Sequence, residues 1–194
     1  MFEFEAPGNF ADLLKMENDL CKHLGFETKR DLAPYNDLDY PGGFYQSVIA
    51  HYGADTELDA DHEEEMYQEY GDVFFLTHFP QSTSPFWNMK LGEMDVKKVN
   101  KLANKCDVIM GGMETIGSAE RGTDVDEMRE QFYTISEGGY AELLFNLFGK
   151  ERVEAELDEF LSHDFMPRYG GGIGVTRMIS AMKRAGLLVK NDQE

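Results

Sequence analysis

Basic residues are scarce in this chain. Only 18 Lys and Arg stand against 37 Asp and Glu over 194 residues, and the formal charge at pH 7 is −19. Phosphate contacts need Lys and Arg, so this balance argues against a chain that grips nucleic acid by its overall charge; a local basic patch stays open. There are two cysteines, Cys21 and Cys106, far apart and without metal-type spacing. That excludes a disulfide framework and a zinc ribbon. Reduced thiols fit a cytoplasmic protein. No apolar run approaches the ~18 residues needed to span a bilayer. The opening MFEFEAPGNF has neither the basic region nor the apolar stretch of a signal peptide. Repeats and low-complexity tracts are missing too. What remains is a globular composition, 42% apolar and 12% aromatic, at a length that suggests one domain with a sizeable core.

Residues 2–5, FEFE, alternate apolar and polar as a half-buried strand does. Pro7 and Gly8 stop it. Asn9 stands where an N-cap belongs, Asp12 follows three residues later, and Phe10, Leu13, Leu14, Leu20, Cys21 and Leu24 recur at helical spacing up to Gly25. The pattern predicts a helix over 10–24. Residues 27–43 are irregular, broken by Pro34, Pro41, Gly42 and Gly43. Short helices are expected near 44–51 and 59–69, the second with a solvated acidic face around Asp61, Glu63 and Glu64. A buried strand fits 72–78, ended by Pro80, and a second apolar run covers 107–110. Gly111, Gly112 and Gly117 are expected to break the segment after that run. Helices are expected near 124–135, 138–148 and 151–162, then a glycine-rich turn leading into a last helix. That order predicts an α+β domain with a mostly antiparallel sheet.

Three constellations can carry chemistry. Gly170, Gly171, Gly172 and Gly174 precede Arg177. Glycines let a ligand approach backbone closely, and an Arg one turn into a helix can stack on a flat ring or hold a phosphate. A tight turn with close packing accounts for the glycines equally well. The run lacks the Gly-Lys-Ser/Thr of a phosphate loop and the spacing of a dinucleotide fingerprint. Second, Asp107 and Glu114 bracket a stretch that can fold back at Gly111-Gly112, so both carboxylates could face one pocket. Hard oxygens of this kind hold Mg²⁺ beside nucleotide phosphates, and Arg121 could pair with a substrate carboxylate. A hairpin with exposed charges is the plain alternative. Third, Thr77-His78-Phe79-Pro80 and Ser84-Pro85-Phe86-Trp87-Asn88-Met89 suggest a pocket wall in which His78 either binds a ligand or is a satisfied structural residue.

Together these segments resemble the catalytic domain of class II aminoacyl-tRNA synthetases, in the aspartyl/asparaginyl branch, and its free-standing relatives, the aspartate–ammonia ligases. Phe74–Pro80 with Pro85–Met89 is similar to the family stretch that lines the amino-acid pocket. Asp107, Glu114 and Arg121, seven residues apart in turn, match the region whose acids hold Mg²⁺–ATP and whose Arg reads the substrate side chain. Gly170 to Arg177 resembles motif 3, whose Arg contacts ATP, in wording closest to the ammonia-ligase version, with Thr176 where synthetases carry an acid. Residues 2–5 match the second strand of motif 2. The resemblance implies a class II mostly antiparallel sheet flanked by helices and incomplete at the N-terminus, one partial catalytic domain over 1–194 without the OB-fold. Motif 1 and the motif 2 Arg find no counterpart.

The implied activity is an adenylate-forming ligase acting on aspartate or asparagine, with ATP and Mg²⁺, and with ammonia as the favoured acceptor. Arg177 and Glu114 are the catalytic candidates. ATP would meet Glu114, Gly170, Gly172, Gly174 and Arg177, the metal Asp107 and Glu114, and the amino acid His78, Ser118 and Arg121. A tRNA ligase fragment and a non-catalytic amino-acid-binding paralogue are the alternatives. The family's dimerisation through motif 1 implies a homodimer or a partner chain that supplies the missing segment. No membrane partner is implied.

Overall fold

Asn9 starts the first helix as its sequence position requires. Its Oδ1 accepts the N–H groups of Ala11 and Asp12, and Asp12 returns a carboxylate to the Asn9 N–H at 2.9 Å, so orphan donors are satisfied on both sides. The helix α1 (Phe10–Leu24) ends at Gly25, whose φ of 92° suits a residue without Cβ. Its apolar stripe of Phe10, Leu13, Leu14 and Cys21 is buried against a sheet. The structure is a computed structural model and describes residues 1–29, 31–33, 35–54, 57–83, 85–94 and 101–188; Pro34 and Ser84 lie outside the described residues.

The sheet has seven strands: β1 (Phe2–Pro7), β2 (Gly42–Phe44), β3 (Val73–Pro80), β4 (Leu91–Met94), β5 (Lys101–Met110), β6 (Glu114–Glu120) and β7 (Arg168–Ile173). Six run in the order β1-β7-β6-β5-β3-β2, and β4 pairs with β5 beside them. Every named pairing is antiparallel except β2 with β3. The helices are α2 (Tyr45–Tyr52), α3 (Ala60–Tyr70), α4 (Val125–Thr134), α5 (Gly139–Phe148), α6 (Lys150–Leu161) and α7 (Val175–Arg184). This is the mostly antiparallel α+β architecture expected of a class II synthetase-like domain.

Alternation along the strands gives the sheet two unlike faces. One pairing row runs Thr77, Cys106, Ser118, Gly171, Phe4 and belongs to the main core, where α1 and α7 pack on Phe75, Val108, Met110 and Ile116. The adjacent row runs Leu76, Asp107, Gly117, Gly172, Glu3 on the opposite face. There α2 and α3 cover only the β3 end, through Val48 and Met66 on Phe74, Leu76 and Ile109. The glycine end of that face lies open. A third cluster, Trp87 with Met128, Phe132, Val153, Leu157 and Leu161, binds α4, α5 and α6 into a side lobe.

Two expectations are corrected. The glycines at 170–172 lie inside a strand, not in a turn: β7 hydrogen-bonds to β1 on one side and β6 on the other, and that double pairing holds a backbone that glycine alone would leave loose. Gly117 likewise sits within β6 and breaks nothing. The reversal falls on Gly111 and Gly112, with φ of 56° and 77°, a conformation that favours glycine. Strand β5 begins at Lys101, well before its apolar run, and β2 and β4 have no counterpart in the sequence pattern.

Candidate active site

The open face is floored by glycine. Gly117 and Gly172 are cross-strand partners, and Gly170 lies two residues from Gly172 on the same face of β7. Two clefts open over this floor and share Met1, Gly117 and Gly172. The larger, about 530 Å³, is lined by Glu114, Thr115, Gly174 and Arg177 as well. The smaller, about 340 Å³, takes in Glu3, Glu5, Gly171 and Arg121.

At the first end, a Cβ on Gly117 would stand 3.0 Å from Glu114 Oε1 and 3.6 Å from Asp107 Oδ1, so both carboxylates border the same space. Asp107 is buried, and its Oδ1 has no hydrogen-bond partner among the described residues. Its Oδ2 pairs with Lys105, whose ammonium also lies 3.7 Å from the centre of the Phe79 ring. Burial pushes the Asp107 carboxyl up to about 6; the Lys105 ammonium opposes this and the Glu114 and Glu63 charges add to it. The Glu114 peptide is held on both sides. Its N–H donates to Glu63 on α3 at 3.1 Å, and its C=O accepts from Arg177 Nη1 at 2.7 Å. Burial also raises the Glu63 carboxyl above its usual range.

At the other end, Arg121 donates from Nε to Glu5 Oε1 at 3.3 Å, and Arg168 Nε approaches the same oxygen at 3.3 Å. Glu5 therefore lies between two guanidinium groups, above Gly170, where any Cβ would meet its carboxylate.

Asp107, Glu114, Arg121, Arg177, Gly170, Gly172 and Gly174 thus gather on one face of the sheet or at its end. His78 and Ser118 do not join them. Ser118 belongs to the core row, where its Oγ donates to the Cys106 carbonyl. A bulge between Thr77 and Phe79, with His78 at φ 57°, turns the imidazole to the side of Tyr35, Phe10 and Phe44. Burial lowers its pKa, and it is a packed side chain away from both clefts. Sequence reasoning does not single out Glu5, Glu63 or Lys105 as site residues. The FEFE alternation carries a signal for Glu5, since it puts Glu3 and Glu5 on one face. Glu63 sits in an acidic run and carries none.

The fold is that of a class II synthetase-like domain. Residues 8–186 match the family described as tRNA synthetases class II (D, K and N), and the chain belongs to that family. No curated protein sequence matches it. Among solved structures it is similar to asparaginyl-tRNA synthetase from Pyrococcus horikoshii complexed with asparaginyl-adenylate (TM-score 0.61, 21% identity, 95% of this chain and 45% of that one). The asparaginyl-tRNA synthetase from Entamoeba histolytica, also with asparaginyl-adenylate, gives a TM-score of 0.64 at 20% identity, covering 95% and 43%. Aspartyl tRNA synthetase from Entamoeba histolytica gives 0.59 at 20%, covering 95% and 40%. The chain spans less than half the length of each.

The donor set fits the Mg²⁺ that such a family implies. Among the described residues no group of three or more His, Cys, Asp or Glu is arranged to hold a metal alone. Mg²⁺ usually takes one or two carboxylates and completes its shell with water and substrate phosphate, and here two acidic oxygens, one of them buried and unpartnered among the described residues, border one space.

Proposed function

We propose that this chain is the nucleotide- and amino-acid-binding part of an ATP-dependent ligase that activates aspartate or asparagine as an aminoacyl-adenylate. The observation that supports it is the single glycine-floored face with Asp107, Glu114 and Arg177 at one end and Arg121 at the other. Arg177 binds and orients the ATP phosphates, and Arg121 holds the amino-acid side chain. Asp107 and Glu114 would hold Mg²⁺, which neutralises phosphate charge when bound. The glycine floor lets the ligands lie against the backbone and keeps water from beneath them. A substrate carboxylate oxygen attacks the α-phosphorus; the bond from that phosphorus to the β-phosphate bridging oxygen breaks, and pyrophosphate leaves. The site's share is positioning and charge stabilisation. An acceptor then attacks the acyl carbon, AMP leaves, and the acceptor nitrogen or hydroxyl loses a proton. The formal charge of −19 favours ammonia over a tRNA end as acceptor.

The Glu5–Arg121 pair supports a second reading for the amino acid. A side-chain amide can accept from Arg121 and donate to Glu5, whereas a carboxylate meets the Glu5 charge. That favours asparagine. ATP–pyrophosphate exchange with each amino acid separates the readings. Exchange with aspartate, and AMP release on adding ammonium, is the outcome for an ammonia ligase; exchange with asparagine that drops in Glu5→Gln is the outcome for the amide reading. No exchange and no Mg²⁺–ATP binding at millimolar ligand would reject both.

A further inference from the structure

Helices α3 and α7 pack on opposite faces of the sheet, yet they are tied together around its end. Arg184, in the last turn of α7, donates from Nη1 and Nη2 to the two carboxylate oxygens of Glu64 on α3, both at 2.6 Å. The same Nη1 donates to the Gly111 carbonyl at 2.9 Å. The guanidinium lies 3.6 Å from the centre of the Tyr67 ring. A two-pronged pair with a stacked guanidinium is the geometry in which an Arg–carboxylate bridge holds its partners most firmly. It encloses the hairpin turn, because a Cβ on Gly112 would strike Glu64 Oε2 at 2.6 Å and Arg184 Nη1 at 3.1 Å.

The turn so enclosed joins β5 to β6, the strands that carry Asp107 and Glu114. Glu63, next to Glu64, accepts the Glu114 N–H, and Arg177, two turns before Arg184, donates to the Glu114 C=O. The four side chains form two parallel ties from α3 to the hairpin to α7, one at the turn and one at Glu114.

We propose that Arg184 is a positioning residue for the acidic pair: through Glu64 and the Gly111 carbonyl it holds α3 and α7 against the hairpin, and so sets the aim of Glu114 and the affinity of the site for a divalent cation with nucleotide. The inference rests on the adenylate-forming reading for its ligand but not for its first measurement. In the full chain without ligand, hydrogen exchange at the Glu114 amide is expected to quicken markedly in Arg184→Met, because Glu63 is the acceptor that protects it. Binding of Mn²⁺ with a non-hydrolysable ATP analogue is expected to weaken by about tenfold, the lower end of what loss of a supporting partner costs a metal site. Arg184→Lys, which keeps the charge but loses the fork, should recover part of both effects. A merely structural bridge would lower the melting temperature and leave the Mn²⁺ affinity of the folded protein unchanged, and that result overturns the inference while leaving the function intact. Unchanged exchange at Glu114 overturns it as well. If the wild-type chain fails to bind Mn²⁺ with the analogue, the adenylate reading itself falls and the inference with it. Glu64→Gln, which keeps volume and one hydrogen bond, carries the same readouts and decides the matter should Arg184→Met not fold.

Discussion

Gly117 shows how much rests on a missing atom. It is a mid-strand residue with no conformational need to be glycine, since its φ is not positive. A Cβ there would instead press on Glu114 Oε1 at 3.0 Å and touch Asp107 Oδ1 at 3.6 Å, taking up space that the acidic pair borders. Gly117→Ala is expected to leave the fold intact and to weaken binding of Mg²⁺ with an ATP analogue on the order of tenfold, about 1.4 kcal/mol; calorimetric titration beside a thermal melt checks both halves. At this scale the sequence is legible where intervals carry meaning. Asp107, Glu114, Arg121 and Arg177 can be picked out because their spacing matches a pattern. The inward side of Ser118 can be found by counting, because it alternates with Gly117 and so faces the core. The side of His78 cannot be found that way: simple alternation would put it on the face of Leu76, and only the bulge turns it to the other. Glu64 and Arg184 lie 120 residues apart, and nothing local announces their pairing.

Helix α1 is readable from end to end because its cap, stripe and terminator are all local signals. Strand β7 is not, since Arg168–Ile173 includes three glycines and offers no alternating side chains; its strandness comes from the partners on either side. One residue within the buried stripe of α1 is acidic. Glu17 is fully buried beneath the sheet beside Ser118 and Cys106, which hold its carboxyl down a little, but neither of its oxygens makes a hydrogen bond of ordinary geometry among the described residues. Burial pushes its carboxyl up to about 8. The native chain therefore keeps a proton that the unfolded chain releases near pH 4.5. The associated stability is present below that pH and is lost as pH rises towards 8, by up to about 1.4 kcal/mol per pH unit. Urea unfolding at pH 5.5 and 7.5 is expected to show this decline, and Glu17→Gln should flatten it. Equal slopes in the two proteins would refute the assignment.

For the whole molecule, the order of elements carries the fold class well: strands early and in the middle with interleaved helices give the antiparallel α+β arrangement. The arrangement of layers cannot be read, because which face each helix covers depends on contacts remote in sequence. The sheet ends on β1, which pairs only with β7 among the described residues and leaves Phe2 more than a third exposed, as are Val175 and Ile179 on α7. An edge of this kind invites pairing. We expect self-association, and light scattering that returns a monomer mass across a micromolar range would contradict it. The two thiols give a means of watching such a chain come apart. Cys21 and Cys106 are both fully shielded in the layer between α1 and the sheet, and burial raises both pKa values, so each is unreactive while that layer stays closed. Alkylation kinetics would therefore clock the lifting of α1 from the sheet, a natural probe that requires no engineered label and reads the same layer from both of its walls.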